Sequence, residues 1–412
     1  MSGAPSTGET RGRIALVLSG GGARGAYEAG VLSYLFESVY PQLRPGFEFD
    51  IVSGTSVGAI HAAFVAASAD RTPDVRSKDL IDTWAGMSID DVLRLAAVDF
   101  LRVPFRALGL RSRRVAPGRD VVGGLVDIEP LERLVEERIP WKGLRANLRA
   151  GRPCSLCVAC TDIRTGRVTV FADGEAPDPA PWEGDPYAQV FHGEIDARHV
   201  RASAAIPFLF PAVRIDDSYY LDGGLRVNTP LSPALRLGAD RVLVVGLKVA
   251  PSEEPEVLDA EAAITQPAFL LGKMLNVLVL DQLEHDLRRM ESVNAILDAA
   301  SRSLGPGCLD SIREAVGEQR GLEYRRVESV VIRPSQDIGR IAAEAHRGRR
   351  VFARGRGVVS ELLTRAALRG VPDHEADLFS YLYFDASFAR PLIELGREDA
   401  RAQADEILEL LA

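Results

Sequence analysis

Several things are scarce in this chain of 412 residues, and each scarcity narrows what it can be. Cysteine occurs four times, three of them crowded into one run, Cys154, Cys157 and Cys160. That excludes a disulfide framework and fits a reducing, cytoplasmic compartment. Surplus positive charge is missing: the formal net charge is −9, which argues against a general nucleic-acid binder and leaves only local basic patches to consider. Long apolar runs are missing too. No stretch reaches the roughly 18 residues a membrane span needs, and the nearest, residues 268–280, is cut by Lys273 and Asn276. Residues 1–13 are polar, with no apolar segment of signal-peptide length behind them. The expectation is a soluble chain, with peripheral membrane contact left open. There is no internal repeat. What remains, 46% hydrophobic and 26% charged residues, is ordinary globular composition, long enough for one large α/β domain or a domain with an appendage.

The most informative stretch is Phe49-Asp50-Ile51-Val52-Ser53-Gly54-Thr55-Ser56-Val57-Gly58 with the small-residue run Ala59 to Ala67 after it. A short apolar strand, then Gly-x-Ser-x-Gly, then a helix is the context of a nucleophile elbow. In so tight a turn Gly54 and Gly58 stand where side chains do not fit, and Ser56 is left at the tip. The helix behind it aims its positive N-terminal end at the serine and at any oxyanion formed there. The plainer reading is an ordinary glycine-containing turn, since a pentapeptide alone is a short motif.

Upstream, Ile14 to Leu18 reads as a second buried strand, ending in Ser19-Gly20-Gly21-Gly22-Ala23-Arg24-Gly25 before another helix. Consecutive glycines between strand and helix expose backbone N–H groups and form an anion nest. Gly20-x-Gly22-x-x-Gly25 satisfies a dinucleotide fingerprint, but Asp50 lies too far on and begins the next strand instead of ending it. The preferred reading is an oxyanion hole facing Ser56, with Arg24 supporting the loop or the charge.

Further along, residues 79–98 suggest two short amphipathic helices. Residues 100–119 hold six arginines, no acidic residue and interleaved Phe100, Phe105, Leu108 and Leu110. They read either as a solvated loop pinned by its arginines or as a lid or membrane-contact segment, with Arg111, Arg113 and Arg114 meeting phosphate headgroups. The cysteine run tempts a metal assignment, but residues three apart on a strand face opposite sides, so the thiols cannot converge. The strand Tyr219-Tyr220-Leu221 delivers Asp222-Gly223-Gly224. A carboxylate at a strand end, in a sheet whose site lies beyond its strand termini, suits acid–base work, although Asp before Gly is also a common turn. His285, His346 and His374 fall in polar helical surroundings and read as surface residues. A strand is expected at Glu328 to Ile332 within a mostly helical C-terminal third.

Taken together, Gly20-Gly21-Gly22-Ala23-Arg24-Gly25, Gly54-Thr55-Ser56-Val57-Gly58 and Asp222-Gly223-Gly224, with Ala202-Ser203-x-Ala205-Ile206-Pro207 between them, resemble the patatin-like phospholipases. The likeness spans roughly residues 13–249. It implies an α/β fold of three layers, α/β/α, with a mainly parallel central sheet and a helical C-terminal extension. The domain plan is a disordered tail over 1–12, a catalytic domain over 13–250 with 99–119 as lid or membrane contact, and a helical region over 251–412 packed on it. By position the resemblance makes Ser56 the nucleophile and Asp222 the general base of a Ser–Asp dyad. Gly20, Gly21, Gly22 and Arg24 become the oxyanion-hole loop, and Gly54 and Gly58 the elbow glycines. The implied activity is hydrolysis of lipid acyl esters, of phospholipase A or lysophospholipase type, through an acyl-enzyme and with no metal or cofactor. Its partners would be a lipid or fatty-acyl ester, a membrane surface met peripherally and, through the C-terminal helices, a second copy of the chain. Two alternatives stand beside it. One is an esterase triad of Ser56, Asp222 and His285, whose chain order is allowed; the other is a lipid-binding membrane protein without turnover.

Overall fold

The computed structural model describes residues 12–93, 121–122, 126–250 (except 177, 179, 184 and 208), 283–304, 324–349 and 377–412, with four single or paired positions between 304 and 324. Among the described residues ten strands make one sheet: β1 (Arg13–Leu18), β2 (Ile51–Thr55), β3 (Val121–Val122), β4 (Ser155–Asp162), β5 (Val168–Gly174), β6 (Ala188–His192), β7 (Ala212–Ile215), β8 (Ser218–Asp222), β9 (Ala239–Val245) and β10 (Glu328–Ile332). Their order is β10-β9-β1-β2-β4-β8-β7-β3, with β5 and β6 branching from β4. The run from β10 to β4 is parallel throughout. These strands are short continuous apolar stretches, the composition that results when both faces are covered by helices.

Side-chain alternation separates the two covered faces. Ile14, Leu16 and Leu18 of β1, with Leu243 and Val245 of β9, point into the larger apolar core, while Ala15, Val17, Val242 and Val244 point into the smaller one. On the larger side lie α1 (Gly25–Tyr34), α2 (Val57–Ala67), α3 (Pro73–Gly86), α4 (Glu129–Arg138), α5 (Trp141–Arg149) and α6 (Ala197–Ser203). The smaller side is covered by α7 (Leu231–Arg236) and α8 (Leu283–Leu304), through Leu231, Ala234, Leu283 and Leu287. This is the three-layer arrangement with a mainly parallel sheet. Cys157 points into the smaller core and Cys160 into the larger, as alternation requires.

The C-terminal third is integral to this body. β10 pairs with β9 in parallel, Val330 beside Leu243, so residues far beyond 250 complete the sheet. After α9 (Ile338–Arg349), the helices α10 (Asp377–Leu382), α11 (Ala386–Ala402) and α12 (Ala404–Leu411) close over α1 and the sheet edge, burying Phe388, Leu392, Ile407 and Leu411 in the larger core. Among the described residues no helix is long and apolar enough to cross a membrane. Of the span 79–98 expected to hold two short helices, residues 79–93 carry the end of α3 and one short turn of helix at Ile89–Asp91, fastened by a Ser88/Asp91 capping box, and residues 94–98 lie outside the described residues. The arginine-rich segment, with Arg111, Arg113 and Arg114, lies outside the described residues.

Candidate active site

Ser56 is the residue between β2 and α2, and its backbone has φ 55° and ψ −123°, a conformation that a non-glycine residue holds only when its surroundings enforce it. The enforcement is visible. The Ser56 N–H donates to Ser203 Oγ at 2.9 Å, and that hydroxyl in turn donates to the Ala159 carbonyl at 2.6 Å. The Ser56 carbonyl accepts from the amides of Ala59 and Ile60 as α2 begins, and Thr55 Oγ1 donates to the Val227 carbonyl at 2.9 Å. A methyl at Gly54 would stand 2.1 Å from the Gly58 carbonyl oxygen, and one at Gly58 2.3 Å from that of Leu18. Only hydrogen fits at either place.

Asp222 reaches this point by a route that the sequence pattern did not indicate. Its strand, β8, runs antiparallel to β4 and pairs Asp222 with Cys160, while Thr55 of β2 pairs with Ala159. The chain therefore enters from outside the C-terminal edge of the parallel strands and descends toward Ser56, instead of climbing beside it. Alternation of period two sets which face a residue takes but says nothing about strand direction. The Asp222 N–H donates to the Ala205 carbonyl at 3.0 Å, and its own carbonyl accepts from Thr161 Oγ1 at 2.9 Å. The carboxyl receives the Gly224 amide at 2.7 Å, and Ser56 is near enough to act on its ionisation. Asp222 is enclosed, and loss of solvent pushes its pKa up to about 6, against the opposing pull of the Gly224 amide and of Ser56.

The glycine loop divides into a fastened part and a free part. Gly20 donates its N–H to the Asn228 carbonyl at 2.9 Å and receives Asn228 Nδ2 on its own carbonyl at 3.1 Å. Its amide is thus already committed to Asn228, so Gly20 anchors the loop. The amides of Gly21 and Gly22 enter no hydrogen bond among the described residues. Gly22 has φ +56°, and a methyl there would meet the Tyr381 carbonyl oxygen at 2.3 Å. Arg24 is buried and donates through Nε to Ser380 Oγ at 2.8 Å, with its guanidinium 4.1 Å from the centre of the Tyr381 ring.

A pocket partly open to solvent begins at Ser56 and Gly22 and runs along one face of α2. Its walls are apolar, with Ile60, Phe64, Leu80, Trp84, Leu131 and Phe210 among them. From Ser56 to Phe64 the helix rises about 12 Å, so the pocket suits an extended chain with its polar end at the serine.

The histidines sort differently from expectation. His285 is exposed on α8, a helix whose Leu283 and Leu287 pack into the core on the opposite face of the sheet from α2; the structure does not bring it to Ser56. His346, expected at the surface, is half-buried with its ring edge-on to Phe379 and Tyr383. His374 lies outside the described residues. The histidine nearest in sequence to the elbow, His61, carries no local signal of a role, yet it lines the pocket wall and is buried. Its Nε2 accepts from the Trp84 indole at 2.9 Å. An indole only donates, so the ring proton sits on Nδ1 and is given to Glu28 at 2.7 Å. Ser203 and Asn228 were also missed as supports; each acts on a residue far away in sequence, which no local pattern records.

Residues 16–235 match the model of the patatin-like phospholipases, more than half of the chain. The chain belongs to that family. Among curated relatives, this patatin-like chain is 25% identical over 322 residues to lysophospholipase NTE1 of Pyricularia oryzae, covering 77% of the chain and 18% of that protein. It is 27% identical over 252 residues to the uncharacterized protein YqhO of Bacillus subtilis, covering 58% of the chain and 71% of the relative. The chain thus spans less than a fifth of the fungal relative's length. Of solved structures, human GIVD cytosolic phospholipase A2 aligns over 97% of the chain and 60% of its own length, at 12% identity and a TM-score of 0.42.

Proposed function

We propose that this patatin-like protein hydrolyses lipid acyl esters, of phospholipase A or lysophospholipase type, with Ser56 as nucleophile and Asp222 as general base. The observation that carries the reading is one juxtaposition: a serine on a strained elbow beside a buried carboxyl, whose pKa the serine helps to hold down, at the head of an apolar pocket. A serine hydroxyl attacks esters only when a base takes its proton. An ordinary aspartate is too acidic for that; one held at about 6 lies close enough to neutrality to be ionised at pH 7 and still accept a proton in the transition state.

The reaction then follows from the geometry. Asp222 takes the proton as Ser56 Oγ bonds to the ester carbonyl carbon. The oxyanion is met by the amides of Gly21 and Gly22 and, at the start of α2, that of Val57; each such donor is worth on the order of 3 kcal/mol of barrier. Asp222 returns the proton to the departing alkoxide as the C–O bond breaks, leaving an acyl-enzyme with its chain in the pocket. Water, deprotonated by Asp222, attacks next, and the fatty acid leaves with Ser56 restored. His61 takes no part, because both of its ring nitrogens are already engaged. Both reacting side chains in this reading lie within residues 13–250, and the C-terminal region completes the sheet and packs over that body.

Turnover of a medium-chain p-nitrophenyl ester and of a lysophospholipid, measured with a metal chelator present, tests this. The wild type should release product, and Ser56→Ala should lower kcat/KM by at least about a thousandfold. Turnover that survives Ser56→Ala would overturn the reading. Lipid binding by the wild type without any product would replace it with a carrier role.

A further inference from the structure

The family match ends at residue 235, yet a piece of chain far beyond that limit touches both halves of the candidate site. Ser380, on α10, is fully buried and receives Arg24 Nε at 2.8 Å. The next residue, Tyr381, places its ring under the Arg24 guanidinium and its carbonyl oxygen against the Cα of Gly22. Two residues after α10, Phe384 lies in the pocket wall and stacks on Trp84, ring centres 6.5 Å apart and planes 18° from parallel. The segment is pinned downstream. Asp385 forms a β-bridge with Ser88 and caps α11 through the amide and hydroxyl of Ser387 at 2.9 and 2.7 Å, and Phe388 and Leu392 of α11 are fully buried in the core.

We propose that residues 377–384 are a working part of the acyl site. Ser380 and Tyr381 are positioning residues that hold the Gly21–Gly22 loop through Arg24 and Gly22, and Phe384 is a specificity-determining residue for the acyl chain. The inference rests on the acyl-hydrolase reading above. Gly22 has a left-handed backbone and no side chain of its own to lock it, so its amide direction depends on what presses against it. The Tyr381 carbonyl and the Arg24–Ser380 bond supply that pressure. Phe384 contributes a flat wall to an otherwise aliphatic and aromatic slot, and a pocket discriminates chains by the room it leaves, with one methylene worth about tenfold or more.

The test uses the full-length chain and a series of p-nitrophenyl esters from short to long acyl chains, with rates normalised to the active sites titrated by a fluorophosphonate. Phe384→Ala should raise the ratio of long-chain to short-chain kcat/KM by about tenfold. Ser380→Ala should lower kcat by about tenfold with KM little changed, because the loss falls on the oxyanion and not on the bound ester. If Phe384→Ala folds poorly, Phe384→Leu carries the same chain-length readout. A ratio that stays within about twofold of wild type, with kcat per titrated site unaltered in Ser380→Ala, would reduce the segment to structural packing and overturn the proposal while Ser56-dependent turnover stands. Absence of Ser56-dependent turnover in the wild type would instead overturn the hydrolase reading and this inference with it.

Discussion

Asp222 and Glu28 are both enclosed by the protein, and burial raises the pKa of each, but their neighbours differ in kind. Glu28 faces His61, whose other nitrogen is occupied by the Trp84 indole. The proton between them has nowhere useful to go, and the trio serves to hold Trp84 as a pocket wall. Asp222 faces a hydroxyl whose oxygen opens onto the pocket. A carboxyl and a histidine in contact are the parts from which acid–base devices are assembled elsewhere, yet in the proposed reading the simpler pair holds the reactive position. What distinguishes them is whether the partner atom can reach a substrate, and residue type alone does not tell that.

The sharpest way to break this contrast is to make the same change at both carboxyls. Asp222→Asn keeps the shape and the acceptor for the Gly224 amide but removes the base, and should lower kcat/KM by at least about a thousandfold. Glu28→Gln keeps an acceptor for His61 Nδ1–H and should leave kcat/KM within about threefold of wild type. Steady-state kinetics on one ester decides it. A loss in Glu28→Gln that approaches the loss in Asp222→Asn would mean that His61 takes part in proton transfer. The pH profile sharpens the same contrast with a smaller effect. The raised pKa of Asp222 belongs to the form that must be ionised to act, so kcat/KM should be flat above pH about 6 and fall about tenfold per unit below it. The midpoint should be the same in Glu28→Gln; a shifted midpoint would couple the two carboxyls.

Much of this site could be read from the sequence because its most demanding constraints are local. The elbow needs hydrogen at Gly54 and Gly58 within a few residues of Ser56, and the loop needs a left-handed residue at Gly22, so both leave short signatures. Asp222-Gly223-Gly224 is legible for the same reason, although β8's direction is not, since pairing direction depends on the neighbour and not on the strand's own alternation. The strand at Glu328–Ile332 was visible as an apolar run, while its partner, β9, was not. Ser203, Asn228, Ser380 and Phe384 act on residues between about 150 and 360 positions away. A lone serine or phenylalanine in a helical stretch carries no mark of such a task. Glu28 and Trp84 hid His61 in the same way: each looks like an ordinary helix residue until the fold places α1 and α3 against α2.

The smallest expected effect concerns stability, and it runs opposite to activity. Between its unfolded value near 3.8 and about 6, the folded protein retains a proton on Asp222 that the unfolded chain has already released. Folding is therefore favoured by that proton at low pH, and stability falls as pH rises through this window, by up to about 3 kcal/mol in all, with no further change from this group above it. Asn cannot ionise and escapes the loss, while its side-chain oxygen still accepts from the Gly224 amide. Asp222→Asn should consequently be more stable than wild type at pH 8, by up to about 3 kcal/mol, and the gain should vanish near pH 4. Denaturant unfolding of both proteins at the two pH values measures the difference directly. A variant that is no more stable at pH 8 than at pH 4, relative to wild type, would mean that the carboxylate is well solvated when ionised. Asp222 would then be no better a base than an aspartate at the surface, and its likeness to buried Glu28 would be gone.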